Sequence, residues 1–337
     1  MITGRELAAG LEPLRALRQR QGLSAAVVDV EDIYDEFNFG EKTSQSLKDF
    51  INYAASSWKK KPRFVLLAGD ASFDSRNYLG FGDNDLVPTK LVDTVFMETA
   101  SDEWLADFDN DGLAEVAVGR LPVRTAAETS KMVAKIVGYE RSSPSEEVLL
   151  VSDESSGYNF EGASTRLMPL VPANLRVSRI DRGRMDPEAA KKTLMEAINR
   201  GQKIVNYAGH GSVDLWSGSL LTGGDARELE NVEHLPLFVM MTCLNGYFQE
   251  PAMDSLGEAL MKAEGGAVAV WASTGMTMPF DQWTMNEELY RVLFAGRSFN
   301  GQALTIGEAA KRAKGRISDI DIRRTWVLLG DPAMKLR

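Results

Sequence analysis

The sequence predicts an α/β fold in which a mostly parallel sheet is covered by helices on both faces, giving three layers. The strand-like segments are continuous runs of β-branched and other apolar residues, which is typical of strands buried on both faces. Amphipathic helical patterns separate these runs along almost the whole chain. A polar, Pro-containing segment at 141–146 follows a long helical pattern and predicts a boundary. We therefore expect two side-by-side α/β units, at 1–143 and 144–337.

Nine apolar runs predict the strands of this fold, and the amphipathic patterns between them predict its helices. The predicted strands are 25–30, 64–68, 115–118, 148–151, 176–180, 204–207, 237–242, 267–272 and 325–329. The clearest helical patterns are 6–14, 43–60, 126–140, 187–200, 255–263 and 306–314.

Composition and charge exclude several classes of protein. A net charge of −10 argues against electrostatic binding to nucleic acid or to anionic membranes. No apolar run approaches the roughly 18–20 residues that a membrane span requires. The single cysteine excludes an internal disulfide framework and a multi-cysteine zinc site. The first residues do not form a secretory signal, so we expect either a cytoplasmic protein or a domain of a longer secreted precursor.

Two strands of the second unit end in side chains that can carry chemistry. The strand at 204–207 runs into a Gly-His-Gly turn centred on His210, and the strand at 237–242 ends at Cys243. Ligands of open α/β sheets bind beyond the carboxyl ends of the strands. The separation, 243 − 210 = 33 residues, leaves room for the crossover that joins neighbouring parallel strands. We expect His210 and Cys243 to lie side by side at one edge of the sheet.

This pairing has the chemistry of a thiol nucleophile and its base. A free thiol with a pKa of about 8.5 is mostly protonated at neutral pH, and a neighbouring imidazole can take its proton. Glycines on both sides of His210 leave room for a substrate backbone, and the N–H groups of Gly211 and Cys243 are candidate oxyanion donors. The other histidine, His234, lies 243 − 234 = 9 residues before Cys243. It would sit roughly 30 Å away along the strand, which leaves His210 as the base.

Around these positions the sequence resembles the gingipain-like cysteine peptidases. The segments that carry the resemblance are 205–212, 243–246, 258–263, 272–274 and 329–332, with 67–72 and 118–123 in the first half. The resemblance implies a caspase-like fold of two subdomains, with Cys243 as nucleophile and His210 as base of an endopeptidase. It also implies a protein or peptide substrate, no cofactor for catalysis, frequent calcium binding, and a secreted or cell-surface precursor of which this chain is one domain.

The same resemblance implies further residues of the site. An acid that orients the histidine falls at Asp153-Glu154, where we prefer Glu154. Arginine-cleaving members place an acid in the substrate pocket, in a stretch that corresponds roughly to 159–164. We expect a basic residue before the cleaved bond, preferred less strictly than in those members. The candidate pocket residues are Asn159, Glu161, Ala208, Met241, Thr242, Met276 and Trp283, and a loop over 274–283 is expected to supply the remaining wall. An acid in the first turn of a helix, such as Glu161, can instead simply offset the helix dipole.

An acidic loop at 107–115 resembles the start of an EF-hand calcium loop. Its candidate ligands are Asp107, Asp109, Asp111, Leu113 through its carbonyl, and Glu115. The twelfth position of the loop is Val118, so the bidentate Glu of an EF-hand is missing. The loop is therefore either a related calcium site completed by distant residues or an acidic turn.

Two alternatives to a hydrolase stay open. Some relatives of this family act as transpeptidases, which pass the acyl group from the cysteine to an amine rather than to water. A catalytically silent, calcium-binding interaction module with the same fold is the other alternative. The presence of both His210 and Cys243 disfavours it.

Overall fold

Strands and helices alternate along the chain in a computed structural model, which describes residues 1–298 and 300–337. The strands are β1 (Ile2–Thr3), β2 (Val28–Asp29), β3 (Phe64–Ala68), β4 (Lys90–Asp93), β5 (Glu98–Ser101), β6 (Ala117–Leu121), β7 (Glu147–Ser152), β8 (Arg176–Asp181), β9 (Ile204–Ala208), β10 (Gly211–Ser212), β11 (Leu215–Trp216), β12 (Leu237–Met241), β13 (Ala269–Ser273) and β14 (Trp326–Leu329). The helices are α1 (Arg5–Arg20), α2 (Val30–Asn38), α3 (Ser44–Ser57), α4 (Ala126–Tyr139), α5 (Phe160–Leu167), α6 (Pro187–Asn199), α7 (Gly223–Arg227), α8 (Leu256–Lys262), α9 (Pro279–Ala295), α10 (Ile306–Lys314) and α11 (Ile320–Thr325).

A single large sheet organises the molecule. It contains ten strands in the order β2-β1-β3-β6-β14-β13-β12-β9-β7-β8. Neighbouring strands are parallel except β13 and β14, which are antiparallel. The two parallel halves of the sheet therefore run in opposite directions and meet between β13 and β14. Two short antiparallel hairpins, β4–β5 and β10–β11, lie outside this sheet.

Helices flank the sheet, and their ends are stabilised by local hydrogen bonds. The Thr125 side chain accepts the Glu128 N–H at the start of α4, and Ser255 and Thr305 form capping boxes at the starts of α8 and α10. Every residue of β9, β12 and β13 is buried, as expected for strands covered on both faces. The prediction of a mostly parallel α/β sandwich is confirmed. Within the described residues, no helix has the length and apolar character needed to cross a membrane.

The predicted and observed elements differ where the chain turns. The strand expected over 25–30 is reduced to Val28–Asp29, because the Asp29 side chain accepts the Glu31 N–H and starts α2. The hairpin β4–β5 was not predicted, and the loop expected over 274–283 ends where Pro279 begins α9. Proline suits a first helical position, because its fixed φ is helical and its missing N–H needs no partner there.

The proposed boundary between the units falls between α4 and β7. The chain segment 140–146 connects these two elements without regular structure. β14, from the second unit, pairs with β6 of the first unit and with β13 of its own. One sheet thus runs through both units, and their division at residue 143 stays a prediction.

Candidate active site

His210 and Cys243 lie beyond the carboxyl ends of two adjacent parallel strands. β9 and β12 pair in register up to Ala208 and Met241, and the chain continues from these residues to His210 and Cys243. Both side chains line one cavity of about 190 Å³. The topology therefore brings together the two residues that the sequence singled out, and their catalytic roles stay predictions.

The turn that carries His210 is held by hydrogen bonds on both of its backbone groups. The His210 N–H donates to Oδ2 of Asp153 at 3.0 Å. The His210 carbonyl accepts from the Tyr207 hydroxyl at 2.7 Å and from the Ser217 N–H at 2.9 Å. The Gly209 N–H donates to the Met241 carbonyl at 3.2 Å, which ties the turn to β12. These contacts fix the backbone from which the imidazole projects.

Glycine is required at position 209 because the chain passes closely over two buried side chains. A Cβ atom at Gly209 would lie 2.4 Å from Asp153 Cβ and 2.4 Å from the Tyr207 hydroxyl oxygen. Both neighbours hold the His210 backbone, so neither can withdraw without releasing it.

Two aromatic rings contact the imidazole of His210. The Phe160 ring lies 5.2 Å away at 83°, and the Tyr158 ring lies 6.2 Å away at 65°. Both contacts are edge-to-face, an arrangement that aromatic rings favour. His210 itself is exposed, so the ring is positioned by its neighbours while one side stays open to a ligand.

Asp153 is the acid that contacts the histidine turn. Its side chain is buried, and Oδ1 lies 2.6 Å from Nη1 of Arg182. Burial, together with the charge of Asp153, raises the pKa of Tyr207 well above its ordinary value, so the phenol remains a donor to the His210 carbonyl. The Glu154 carboxylate is 67% exposed and lies 3.7 Å from Arg182. Among the described residues it makes no hydrogen bond to the imidazole, and its orienting role stays a prediction.

Cys243 occupies a sharp turn after β12. The next residue, Leu244, has φ +62°, which is uncommon for a residue with a side chain. The Leu244 N–H donates to the Gly275 carbonyl at 3.1 Å, which holds this conformation. Sγ of the half-buried Cys243 accepts the Thr277 N–H at 3.4 Å and contacts the Thr277 carbonyl at 3.6 Å. Such strained turns concentrate at functional sites.

Two backbone N–H groups beside the thiol have no hydrogen-bond acceptor among the described residues. Gly211 faces Trp216 across the β10–β11 hairpin, and the neighbouring bond runs from the Ser217 N–H to the His210 carbonyl. That pattern makes Gly211 and Trp216 a non-hydrogen-bonded pair, so the hairpin does not use the Gly211 N–H. Among the described residues, no backbone carbonyl accepts a hydrogen bond from the Cys243 N–H. Both predicted oxyanion donors are therefore available.

The predicted pocket residues separate into those that line the cavity and those that do not. Thr242 and Met276 line it. Ala208 and Met241 are buried within the sheet. Trp283 is not among the lining residues, and its ring contacts that of the lining residue Phe160 at 6.3 Å and 87°.

Asn159 and Glu161 belong to a different hollow. The Asn159 side chain accepts the Gly162 N–H at 2.7 Å and caps α5. Oε2 of Glu161 accepts from Nε of Arg184 at 2.9 Å. Both residues line a hollow of about 310 Å³ that is also lined by Arg179, Asp181 and Arg184. Glu161 is thus already paired with a cation in that hollow.

Sequence reasoning missed several residues that line the cavity. They are Phe96, Tyr158 and Phe160, whereas Thr277, Met278, Pro279 and Gln282 lie within the segment 274–283 from which the sequence predicted a wall. Phe96 comes from the turn between β4 and β5, far away in sequence, and no local pattern indicates that position. Phe160 is the first residue of α5, and Gln282 lies in the first turn of α9. Both are close in sequence to predicted pocket residues, which is the sequence signal that indicates their position.

The acidic loop brings three of its five predicted calcium ligands together. Carboxylate oxygens of Asp107, Asp109 and Glu115 all lie within 4.8 Å of one another. Asp107 accepts the Gly112 N–H at 2.9 Å, and Glu115 accepts the Phe108 N–H at 2.6 Å. The oxygen donors suit a hard cation such as Ca²⁺.

Asp111, a further predicted ligand, lies outside this group. The Asp111 carboxylate accepts the Leu113 N–H at 2.8 Å instead of joining the three acids. Desolvation raises the pKa of Asp107, which is the buried member of the group. Three donors are fewer than Ca²⁺ usually takes, so further oxygens would have to complete the site.

Comparisons with known proteins agree with this architecture. Gingipain R2 of Porphyromonas gingivalis is 25% identical over 346 residues, which cover 95% of this chain and 43% of that protein. The chain thus spans less than half the length of this relative. The crystal structure of the Arg-specific cysteine proteinase gingipain R superposes with a TM-score of 0.84 at 20% identity, over 100% of this chain and 77% of that one. The crystal structure of dimeric latent PorU from Porphyromonas gingivalis superposes with a TM-score of 0.52 at 16% identity, over 99% of this chain and 30% of that one.

The match to gingipain R confirms the predicted caspase-like fold. The family model for peptidase family C25 matches residues 1–337, which is the whole chain. This match confirms the resemblance to the gingipain-like cysteine peptidases. The chain belongs to peptidase family C25.

Proposed function

We propose that the chain is a cysteine endopeptidase in which Cys243 is the nucleophile and His210 is the general base. The observation that carries the proposal is the position of both side chains at the ends of adjacent strands, where they line one cavity. The family membership supports the same reaction class. The exposed imidazole and the half-buried thiol leave the cavity accessible to a peptide.

The first half of the reaction forms an acyl-enzyme. His210 takes the proton of the Cys243 thiol, and the thiolate attacks the carbonyl carbon of the scissile peptide bond. The N–H groups of Gly211 and Cys243 stabilise the negative oxygen of the tetrahedral intermediate. The imidazolium then gives its proton to the leaving amine, the C–N bond breaks, and a thioester remains on Sγ.

The second half releases the acid product. His210 removes a proton from a water molecule, whose oxygen attacks the thioester carbonyl. The tetrahedral intermediate collapses, the C–S bond breaks, and the proton returns from the imidazolium to Sγ. Among the described residues the polar contacts of Sγ go to Thr277 rather than to the imidazole. Catalytic hydrogen bonds of free enzymes are often loose and tighten when the substrate binds.

Asp153 acts in this scheme as a positioning residue. Its carboxylate holds the His210 N–H at 3.0 Å and is neutralised by Arg182 at 2.6 Å. Asp153 and Arg182 together hold the His210 backbone at the end of β9, and through it the position of the imidazole, without contacting the thiol. Loss of the Asp153 carboxylate is expected to lower kcat with little effect on KM.

Variants of the two reacting groups test the proposal. Cys243→Ala and His210→Ala should each abolish cleavage of a fluorogenic peptide library while Tm stays near the wild-type value. The double variant should be little worse than either single one, because the two groups act as a unit. His234→Ala is the control and should keep the wild-type rate, since His234 precedes β12 at the other end of that strand. Full activity in His210→Ala would exclude the proposed base.

Product analysis separates hydrolysis from transfer. When an added amine such as hydroxylamine or glycine amide is present, a transpeptidase yields mainly the aminolysis product, whereas a hydrolase yields mainly the free acid. We expect the free acid to dominate. Complete resistance of Cys243 to an electrophilic peptide would instead indicate a silent module.

We also propose that the full-length protein contains more than this domain and that its substrates are proteins or peptides. The chain covers 43% of gingipain R2, and a solved relative is described as a complex of pro- and mature domains. Secretion or a cell-surface location stays a prediction, which fractionation of the producing cells would test.

We propose a structural calcium ion held by Asp107, Asp109 and Glu115. The proximity of their carboxylate oxygens supports it. The loop belongs to the first unit and has no step in the reaction above.

A further inference from the structure

The cavity beside Cys243 has mainly apolar walls. Phe96, Tyr158, Phe160, Met276, Met278 and Pro279 line it. None of the lining residues in the described chain is acidic. A side chain that enters from a bound peptide therefore loses its water and meets a low-polarity surface, which disfavours a charged group unless a counter-charge is present.

Two residues that line this cavity each have a buried polar atom without a hydrogen-bond partner among the described residues. Gln282 is 2% exposed and Thr242 is 1% exposed, and both line the cavity. Among the described residues, Gln282 Oε1 and Thr242 Oγ1 have no partner. Nε2 of Gln282 donates to Thr277 Oγ1 at 2.7 Å, which orients the amide and leaves Oε1 as the free acceptor. A buried acceptor without a partner costs free energy, which a ligand that donates a hydrogen bond recovers.

Two acids of this region, Asp153 and Glu161, are already paired with arginines. Asp153 is paired with Arg182 at 2.6 Å. Glu161, the acid predicted for the pocket, is paired with Arg184 and lines the separate hollow. An Arg or Lys side chain in the cavity would meet neutral acceptors on the walls that the described residues form.

We infer that this cavity binds an uncharged carboxamide side chain, glutamine or asparagine, at the residue before the scissile bond, and that Gln282 determines this preference. The inference rests on the proposed peptidase function. The NH₂ group of a carboxamide supplies two donors, which match the two free acceptors Gln282 Oε1 and Thr242 Oγ1. The apolar walls accommodate its aliphatic stem. This substrate class differs from the basic residue expected from the sequence.

Peptides that differ only at the residue before the cleaved bond test the inference. We compare Gln, Asn, Met, Lys and Arg in one sequence and measure kcat/KM for each. Methionine matches the length of glutamine but has no donor, so Gln or Asn should be favoured over Met by roughly 10- to 100-fold. Arg and Lys should be cut more slowly than Gln. Cleavage of Arg peptides as fast as Gln peptides would overturn the inference.

A single isosteric change tests the role of Gln282. Gln282→Glu places a carboxylate where the free amide oxygen lies, so the ratio of Arg to Gln cleavage should rise at least tenfold. Gln282→Met removes the acceptor and should bring the Gln peptide down to the rate of the Met peptide. Gln302→Glu makes the same charge change on an exposed side chain and should leave the ratio at the wild-type value. An unchanged ratio in Gln282→Glu would refute the assignment.

Failure of this inference can be distinguished from failure of the proposed function. If alkylation of Cys243 blocks cleavage but Arg peptides are preferred, only the inference fails. If none of the peptides and no member of the library is cut by the wild type, the proposed peptidase function fails and the inference fails with it. Because Thr277 contacts both Gln282 and Cys243, the rate of Cys243 alkylation and Tm are measured for each variant. If a variant keeps the wild-type alkylation rate and Tm, its changed ratio of Arg to Gln cleavage comes from the cavity.

Discussion

Gly209→Ala is the change that most directly tests how the histidine turn is built. The new Cβ atom would lie 2.4 Å from Asp153 Cβ and from the Tyr207 hydroxyl oxygen. Ordinary contacts between non-bonded carbon atoms lie at about 3.5–4.0 Å, so the overlap is roughly 1 Å on two sides. Asp153 is 1% exposed and Tyr207 is 0% exposed, so neither can move into solvent. The backbone at 209–210 must therefore shift by about 1 Å.

This shift has separate consequences for activity and for stability. Misplacing a catalytic group by about 1 Å costs on the order of 10²-fold in rate, and we expect that loss in kcat/KM for the best peptide. Overpacking of a close-packed site destabilises by about 1–3 kcal/mol, which we expect as a lower free energy of unfolding. Fluorogenic cleavage and urea unfolding measure the two quantities independently.

A second glycine provides the matched control. Gly138 lies in α4, and a Cβ atom there would meet no other atom within 4 Å. Alanine is favoured over glycine in a helix by about 0.5–1 kcal/mol, so Gly138→Ala should keep full activity and unfold at the same or a higher urea concentration. Wild-type kcat/KM in Gly209→Ala would show that the turn does not position the imidazole, and the reasoning would be refuted.

Two further predictions concern the calcium loop and a buried acid. EDTA should lower Tm of the wild type but not of Asp109→Asn. The reason is that an ion bound only to the folded state stabilises it by about 2.7 kcal/mol at a hundredfold excess over its Kd. An unchanged wild-type Tm would show that the loop is only an acidic turn. Burial, despite the nearby Lys262, raises the pKa of the Glu258 carboxyl from 4.5 to about 8. The stability from its bound proton is thus fully present below pH 4.5 and is lost as pH rises through 8. We therefore expect the difference in unfolding free energy between the wild type and Glu258→Gln to fall from pH 5 to pH 8. A rise over this range would show that the ion pair of Glu258 with Lys262 dominates instead.

The sequence was most informative where structure depends on local pattern. Continuous apolar runs located β3 at Phe64–Ala68 and the amphipathic pattern located α10 at Ile306–Lys314, with the bounds that the structure has. His210 and Cys243 could be singled out because each follows a run that is buried on both faces, and carboxyl ends of neighbouring parallel strands meet at one edge. The resemblance to a peptidase family added their expected roles.

Tertiary structure alone decided what surrounds those two residues. Asp153 and its neighbour Glu154 are equivalent in sequence, but only Asp153 turns inward to hold the His210 N–H, because alternate residues leaving a strand point in opposite directions. Phe96 reaches the cavity from a hairpin 243 − 96 = 147 residues before Cys243, and Gln282 reaches it from a helix expected to be a loop. Such contacts depend on how distant elements pack, and the periodicity of the chain carries no record of that packing. The sequence by itself therefore determined the sheet and the pair at its edge, while the packing of distant elements decided the walls, and hence the polarity, of the cavity.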